Sequence, residues 1–211
     1  MLESSTVGHK NQVEVIPPTE LMARIRAVGT LANPEIRPYE NSEISIVSMA
    51  PKSLNPMVLY VLKDGMETQR KVIEFLLSNG VDPFKLDSMI KYTFEGEDHL
   101  MVPPIVEVHK EKDGVTYIII IDGLHRLKIA MEMEKDCNVV YIKGASLPPH
   151  AMPVGWDKVN PYDKVPKEKK IWRDLSTVEL PKGMDLDGSI DPRYILYRDL
   201  SSLGSHGVRK S

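Results

Sequence analysis

Within five consecutive residues, Asp122-Gly123-Leu124-His125-Arg126, the chain brings together a carboxylate, a position with no side chain, an imidazole and a guanidinium. Phosphate chemistry uses these groups. A guanidinium offers phosphate oxygens a planar fork of donors, and the imidazole adds another. The Asp122 carboxylate could hold the Mg²⁺ that accompanies a nucleotide, or accept a proton. Gly123 lets the chain turn sharply and a ligand come close to the backbone. A helix starting there would add unpaired N–H groups and the positive end of its dipole. The same residues have a plainer explanation, with Asp122 capping the helix, His125 solvated and Arg126 paired with Glu132 or a neighbour. The context favours chemistry, because strand, glycine and helix follow one another in the required order.

The elements that must position this corner are legible on either side of it. Ile105–Val108 reads as a strand, Lys112-Asp113-Gly114 as a turn and Val115–Ile121 as a second strand, with Asp-Gly as the hairpin signal. The second strand is apolar on both faces, which predicts a central strand covered on both sides. The following helix carries Leu127, Ala130 and Met131 on one stripe, and Asn138–Lys143 supplies a further strand. Upstream, Ile44–Val47 alternates as a short strand, while Val58–Leu62 fits either strand or helix. Met66–Ser78 places Gln69, Val72, Ile73, Leu76 and Leu77 at helical spacing, with Gly80 as a left-handed stop. Asp82-Pro83 predicts another short helix through Ile90. Nearer the start, Thr19 is the expected cap of a helix over Glu20–Val28. Prolines interrupt residues 144–211, leaving room for short helical turns at Lys167–Arg173 and Tyr194–Leu200 and a loose tail over Gly204–Ser211. The chain therefore divides into an N-terminal extension (1–43), an organised domain (44–143) and a proline-rich C-terminal extension (144–211) expected to pack on the core.

Composition sets outer limits. With 42% apolar and 27% charged residues in 211, the chain can bury a core without staples. A net charge of −3 argues against a surface built wholly for nucleic acid, so DNA is not the favoured partner. Cys137 is the only cysteine, which excludes an internal disulfide and fits a cytoplasmic setting. The start lacks the pattern of a secretory signal, and the longest apolar run, Tyr117–Ile121, is too short for a membrane span.

The run Pro103–Val108, the Asp-Gly turn and the stretch Ile120–Ala130 together resemble the ParB/sulfiredoxin superfamily. The resemblance covers residues 100–143 closely and 44–143 loosely. It implies an α+β fold, a small mixed sheet with flanking helices, and a corner that grips nucleotide phosphates through Gly123, Leu124, His125 and Arg126. It implies Mg²⁺ with ATP, ADP or CTP. Sulfiredoxins carry their catalytic cysteine immediately before the His-Arg pair; Leu124 stands there and offers no nucleophile. DNA-partitioning members add a helix-turn-helix domain, which the proline-broken 144–211 segment does not suit. The corner is most similar to the free-serine-kinase branch. The catalytic glutamate proposed for that branch follows the first strand, where this chain reads Ser53-Leu54-Asn55-Pro56-Met57, so the nearest downstream candidate is Glu67.

The expected function is a nucleotide-dependent phosphotransferase acting on a small hydroxyl-bearing molecule, with Asp122 and Glu67 as catalytic candidates and Asp122 as metal ligand. The alternative is a nucleotide-switched regulatory or DNA-associated module without kinase activity. A ParB-type nuclease is a weaker reading, since it would need more acids near the corner. On the alternation of Val106 and Val108, Glu107 and His109 are expected to face solvent. Glu20, Arg24 and Arg26 could close over a nucleotide, or simply form the wet face of a helix. Lys164, Lys167, Lys169, Lys170 and Arg173 interleave with acids and read as a solvated face, while Trp156 and Trp172 are expected to anchor the C-terminal extension.

Overall fold

Alternation of Val and Ile with a tight Asp-Gly turn produces a hairpin of β6 (Ile105–Lys110) and β7 (Thr116–Asp122). Gly114 closes the turn at a φ of 84°, a conformation open to glycine. The computed structural model describes residues 13–180 and 192–204. Nearly all of the tail expected over Gly204–Ser211 lies outside the described residues.

The hairpin belongs to a four-stranded mixed sheet of order β2-β8-β6-β7, with β2 at Glu43–Met49 and β8 at Cys137–Lys143. Only the β6–β8 pairing is parallel. The fold is α+β. Contrary to the expectation of a central strand, β7 lies at the sheet edge. Its apolar faces are nevertheless both covered: Ile120 joins the core cluster of Leu54, Val106 and Leu127, while Ile119 packs with Met57 and Ala151. The open edge is covered by Asn55, whose N–H donates to Ile118 O at 2.7 Å and whose carbonyl accepts from Ile120 N at 2.8 Å. An edge that is covered in this way tolerates the apolar run of a central strand.

On one face of the sheet pack α2 (Lys63–Ser78) and α3 (Leu124–Glu132), through Met66 and Ile73 from α2 and Leu127, Ile129 and Ala130 from α3. The α2 helix starts three residues before the predicted Met66, directly after β3 (Tyr60–Leu62), and Gly80 stops it at a φ of 77°. The other face is covered by α1 (Pro18–Arg26) and the chain near Leu200 and Leu203. Thr19 does not cap α1; Pro17 occupies that place with no side-chain bond. A second, antiparallel sheet, β1-β4-β5, comprises Val13–Ile16, Met89–Phe94 and Glu97–Met101, and it packs against Val72 and Leu76 of α2.

The helix predicted from Asp82 to Ile90 is absent. Asp82 Oδ1 instead accepts from Phe84 N at 2.9 Å, a local turn, and Met89 opens β4. An Asp side chain can close a turn as readily as it caps a helix; the strand partners in β1 and β5 decide between them. Lys167–Arg173 likewise forms no helical turn, whereas Pro192–Leu196 is a short 3₁₀ segment. A three-residue parallel pairing of β3 with β9 (Asn160–Tyr162) holds the 144–180 stretch on the core. Trp156 adds an anchor there by donating from Nε1 to Pro51 O at 2.9 Å. Among the described residues no helix is long and apolar enough to cross a membrane.

Candidate functional site

The end of β7 and the start of α3 meet at Gly123, which has a φ of 86°. A Cβ here would stand 2.7 Å from Pro104 Cβ and 2.9 Å from Pro104 Cα. Both the left-handed backbone and the close approach to the neighbouring strand entrance therefore require glycine. No side chain caps α3. Asp122 is not its cap, and the helix end carries no side-chain acceptor on its N–H groups.

Asp122, Gly123, Leu124, His125 and Arg126 all line one cavity of about 820 Å³. Arg126 is 5% exposed, and its Nε and Nη1 are buried without a hydrogen-bond partner. Glu132, the sequence's alternative partner for Arg126, is taken by Arg70 of α2. Burial pulls the Arg126 guanidinium below its usual pKa, an effect opposed by Cys137, Asp122 and Tyr92. From so high a starting value the group stays charged.

His125 reaches from α3 towards α2. Gly65 gives it space, since a Cβ there would lie 3.1 Å from His125 Nε2. That nitrogen is also buried and unpartnered. Burial lowers the imidazole pKa, with Asp64 and Asp122 pulling the other way. Gln69 contributes a fourth such atom, Nε2, and lines the same cavity. Unsatisfied buried polar atoms carry a free-energy cost. Here they gather on three side chains that line one cavity. Gln69 stood in the sequence only as one position of a helical stripe; its polarity among apolar residues was the available signal.

Glu67 is placed elsewhere. It is exposed on α2, pairs with Lys71 at 3.1 Å, and is not among the residues lining the cavity. Asp98, Asp122 and Asp199 are the carboxylates that do line it. Among the described residues no three His, Cys, Asp or Glu side chains group so as to hold a metal. The buried Cys137 thiol is pushed up to about 11 by desolvation, which keeps it protonated and unreactive.

The far wall was not foreseen. His150, Lys170, Tyr197 and Arg198 line it. Within the lysine-rich stretch Lys164, Lys167 and Lys169 are exposed as expected, but Lys170 and Arg173 turn inward. Arg173 forks onto Glu111 at 2.8 and 2.6 Å. Glu107, expected to face solvent, is 1% exposed: it accepts from Tyr39 and from Arg198 at 3.0 and 3.1 Å. Its position in β6 faces α1 and the C-terminal segment, which sheet alternation alone could not reveal. Glu20 and Arg24 pair with each other at 2.5 Å, and Arg26 donates to Glu40 O and Ser42 O.

The model of one family, the ParB CE domain, matches residues 20–160, more than half of the chain. The chain belongs to the ParB CE domain family. No curated protein and no solved structure matches it. The matched stretch takes in most of α1, the whole four-stranded sheet, α2 and α3, so the glycine corner sits inside the ParB CE domain. His150 also belongs to that stretch, whereas Lys170, Tyr197 and Arg198 come from beyond it. The cavity of this ParB CE domain protein is thus walled on one side by chain outside the family match.

Proposed function

We propose that the protein binds a nucleotide at the Asp122–Arg126 corner and transfers a phosphoryl group from it to a small hydroxyl-bearing molecule. The buried, unpartnered Nε and Nη1 of Arg126 carry this reading. With His125 and Gln69 they form a donor set that fits phosphate oxygens, beside an uncapped helix end. Mg²⁺ accompanying the nucleotide would offset the charge of its phosphates. Phosphoryl transfer demands mainly positioning and charge stabilisation. In the reaction the acceptor oxygen bonds to the terminal phosphorus, the bond to the bridging oxygen breaks, and the acceptor's proton leaves to a carboxylate. Asp122 is the proposed base. Glu67 has no part in this proposal, because it stands outside the cavity wall.

Nucleotide binding without turnover, as in a switched regulatory module, is the second reading. The position of Glu67 outside the cavity, paired with Lys71, favours it.

Calorimetric titration with ATP, ADP and CTP in the presence of Mg²⁺ tests the site. The wild type is expected to take up one nucleotide per chain. Arg126→Met, which keeps the volume and removes the fork, should weaken binding about 100-fold, the scale of one or two charge-assisted hydrogen bonds. Binding unchanged in a variant that melts normally would sink the reading. Phosphate-ester formation with a panel of alcohols then separates transfer from binding alone.

A further inference from the structure

The cavity holds a half-buried cation, Lys170, that the nucleotide corner does not use. Lys170 Nζ lies 2.7 Å from His150 Nε2 and 2.8 Å from the Tyr197 hydroxyl. It also stands 4.7 Å from the Tyr197 ring centroid and 5.3 Å from that of Trp172. The His150 ring stacks on Tyr197 with centroids 3.7 Å apart. Burial holds His150 neutral at ordinary pH, helped by Lys170, Arg198 and Arg173. Its Nε2 therefore accepts from the Lys170 ammonium, and the ring proton resides on Nδ1.

Among the described residues this cage supplies aromatic faces and neutral acceptors, but no charge to balance the ammonium. The buried arginines nearby are balanced: Arg198 by Glu107 and Arg173 by Glu111. Among the described residues no carboxylate pairs with Lys170. A buried, unbalanced ammonium costs stability unless something else supplies the counter-charge. Burial and the neighbouring Lys169 lower its pKa to about 8, so it is still mostly protonated at neutral pH. Lys170 and Arg126 thus line the same space as two cations, Arg126 buried with Nε and Nη1 unpartnered and Lys170 half-buried without a carboxylate partner among the described residues.

We propose that Lys170, held by His150 and Tyr197, is a second oxyanion subsite of this cavity, taking a carboxylate or phosphate group. It shares the space with the proposed nucleotide corner but rests on the Lys170 cage alone. Arg126 would bind one anionic group and Lys170 another. The second group belongs either to a separate acidic molecule or to the nucleotide itself.

The full chain titrated with inorganic phosphate at pH 7 tests this. The wild type should bind two phosphates, Lys170→Met one, Arg126→Met one, and the double variant none. A loss of about tenfold or more at one site is the expected effect of removing the ammonium. Two unchanged sites in Lys170→Met would overturn the proposal. A measurement without substitution guards against misfolding: the Lys170 ε-CH₂ resonance, followed in isotope-labelled wild type, should titrate near pH 8. Saturating phosphate should move that midpoint up by about one unit or more, because a bound anion favours the ammonium. A midpoint that phosphate leaves in place would equally overturn the proposal. The groups facing Lys170 in this titration are His150, Tyr197 and Lys169, with Arg198 and Arg173 acting through His150.

Saturating ATP distinguishes the two sources. If phosphate still binds at Lys170, the subsite serves a second molecule; if ATP displaces it, the oxyanion is the nucleotide's own. Failure of ATP to bind, with the Lys170 phosphate site intact, would remove the nucleotide reading alone. ATP binding that needs Arg126, with no phosphate effect at Lys170, would remove this inference alone.

Discussion

His150 shows how far a single residue's behaviour depends on what surrounds it. A free imidazole titrates near 6.5, but here desolvation and the cations Lys170, Arg198 and Arg173 push it far down. The unfolded chain therefore binds a proton at His150 below pH 6.5, while the folded chain does not. Stability from this group is present above the unfolded pKa and falls as pH drops below it. Each pH unit from about 6 to 5 should cost the wild type about 1.4 kcal/mol through His150. Urea unfolding at pH 7, 6 and 5 measures this, and His150→Gln should flatten the slope by about that amount. An identical slope in the variant would show that His150 takes up its proton while folded. His125 and His109, both also lowered mainly by burial, contribute in the same direction.

At the scale of elements, the junction of β7 and α3 does the positioning. The strand ends where Gly123 adopts a left-handed backbone, and α3 then begins without a side-chain cap. Placing Arg126 in the first turn of a helix whose Leu127, Ile129 and Ala130 are buried fixes the guanidinium against the core. Gly123→Ala should destabilise the fold by about 2–4 kcal/mol, combining left-handed strain with a clash against Pro104. Chemical denaturation measures it. A loss under about 0.5 kcal/mol, the scale of an ordinary surface change, would mean the junction relaxes without cost. The same variant should also weaken nucleotide binding, because the helix end and His125 move with the turn.

For the whole molecule, one buried cluster ties distant stretches of the chain together. Glu107 in β6, Tyr39 ahead of β2 and Arg198 near the C-terminal end share hydrogen bonds, and Arg198 also donates to Leu147 O and Leu196 O. Burial lowers the Arg198 pKa, but Glu107 and Tyr39 outweigh that and the net direction is up. Desolvation and Glu107 raise Tyr39. Arg198→Met leaves the Glu107 carboxylate buried without its cation, which should cost about 3–5 kcal/mol. It should also make residues 192–204 more sensitive to limited proteolysis, since Arg198 joins them to the sheet. If protease resistance and unfolding midpoint both stay at wild-type values, the cluster is not what retains this segment.

The sequence by itself determined the elements whose signals are local. Asp-Gly between alternating runs specifies the β6–β7 hairpin, helical spacing and Gly80 specify most of α2, and the order strand, Gly123, helix marks the glycine corner. It also carried the ParB resemblance, and the family match to residues 20–160 agrees with it. Tertiary structure decided whatever depended on partners far along the chain. Asp82 could cap a helix or close a turn, and its neighbours' pairing in the β1-β4-β5 sheet chose the turn. An apolar β7 looked central until Asn55 was seen to cover its edge. Glu107 and Lys170 looked solvated because charged residues usually are, and no local pattern records that Arg198 or His150 waits within hydrogen-bond reach. Periodicity reports which face of an element a residue occupies; what that face meets is set only when segments more than ninety residues apart come together, as Glu107 and Arg198 do at a separation of 91.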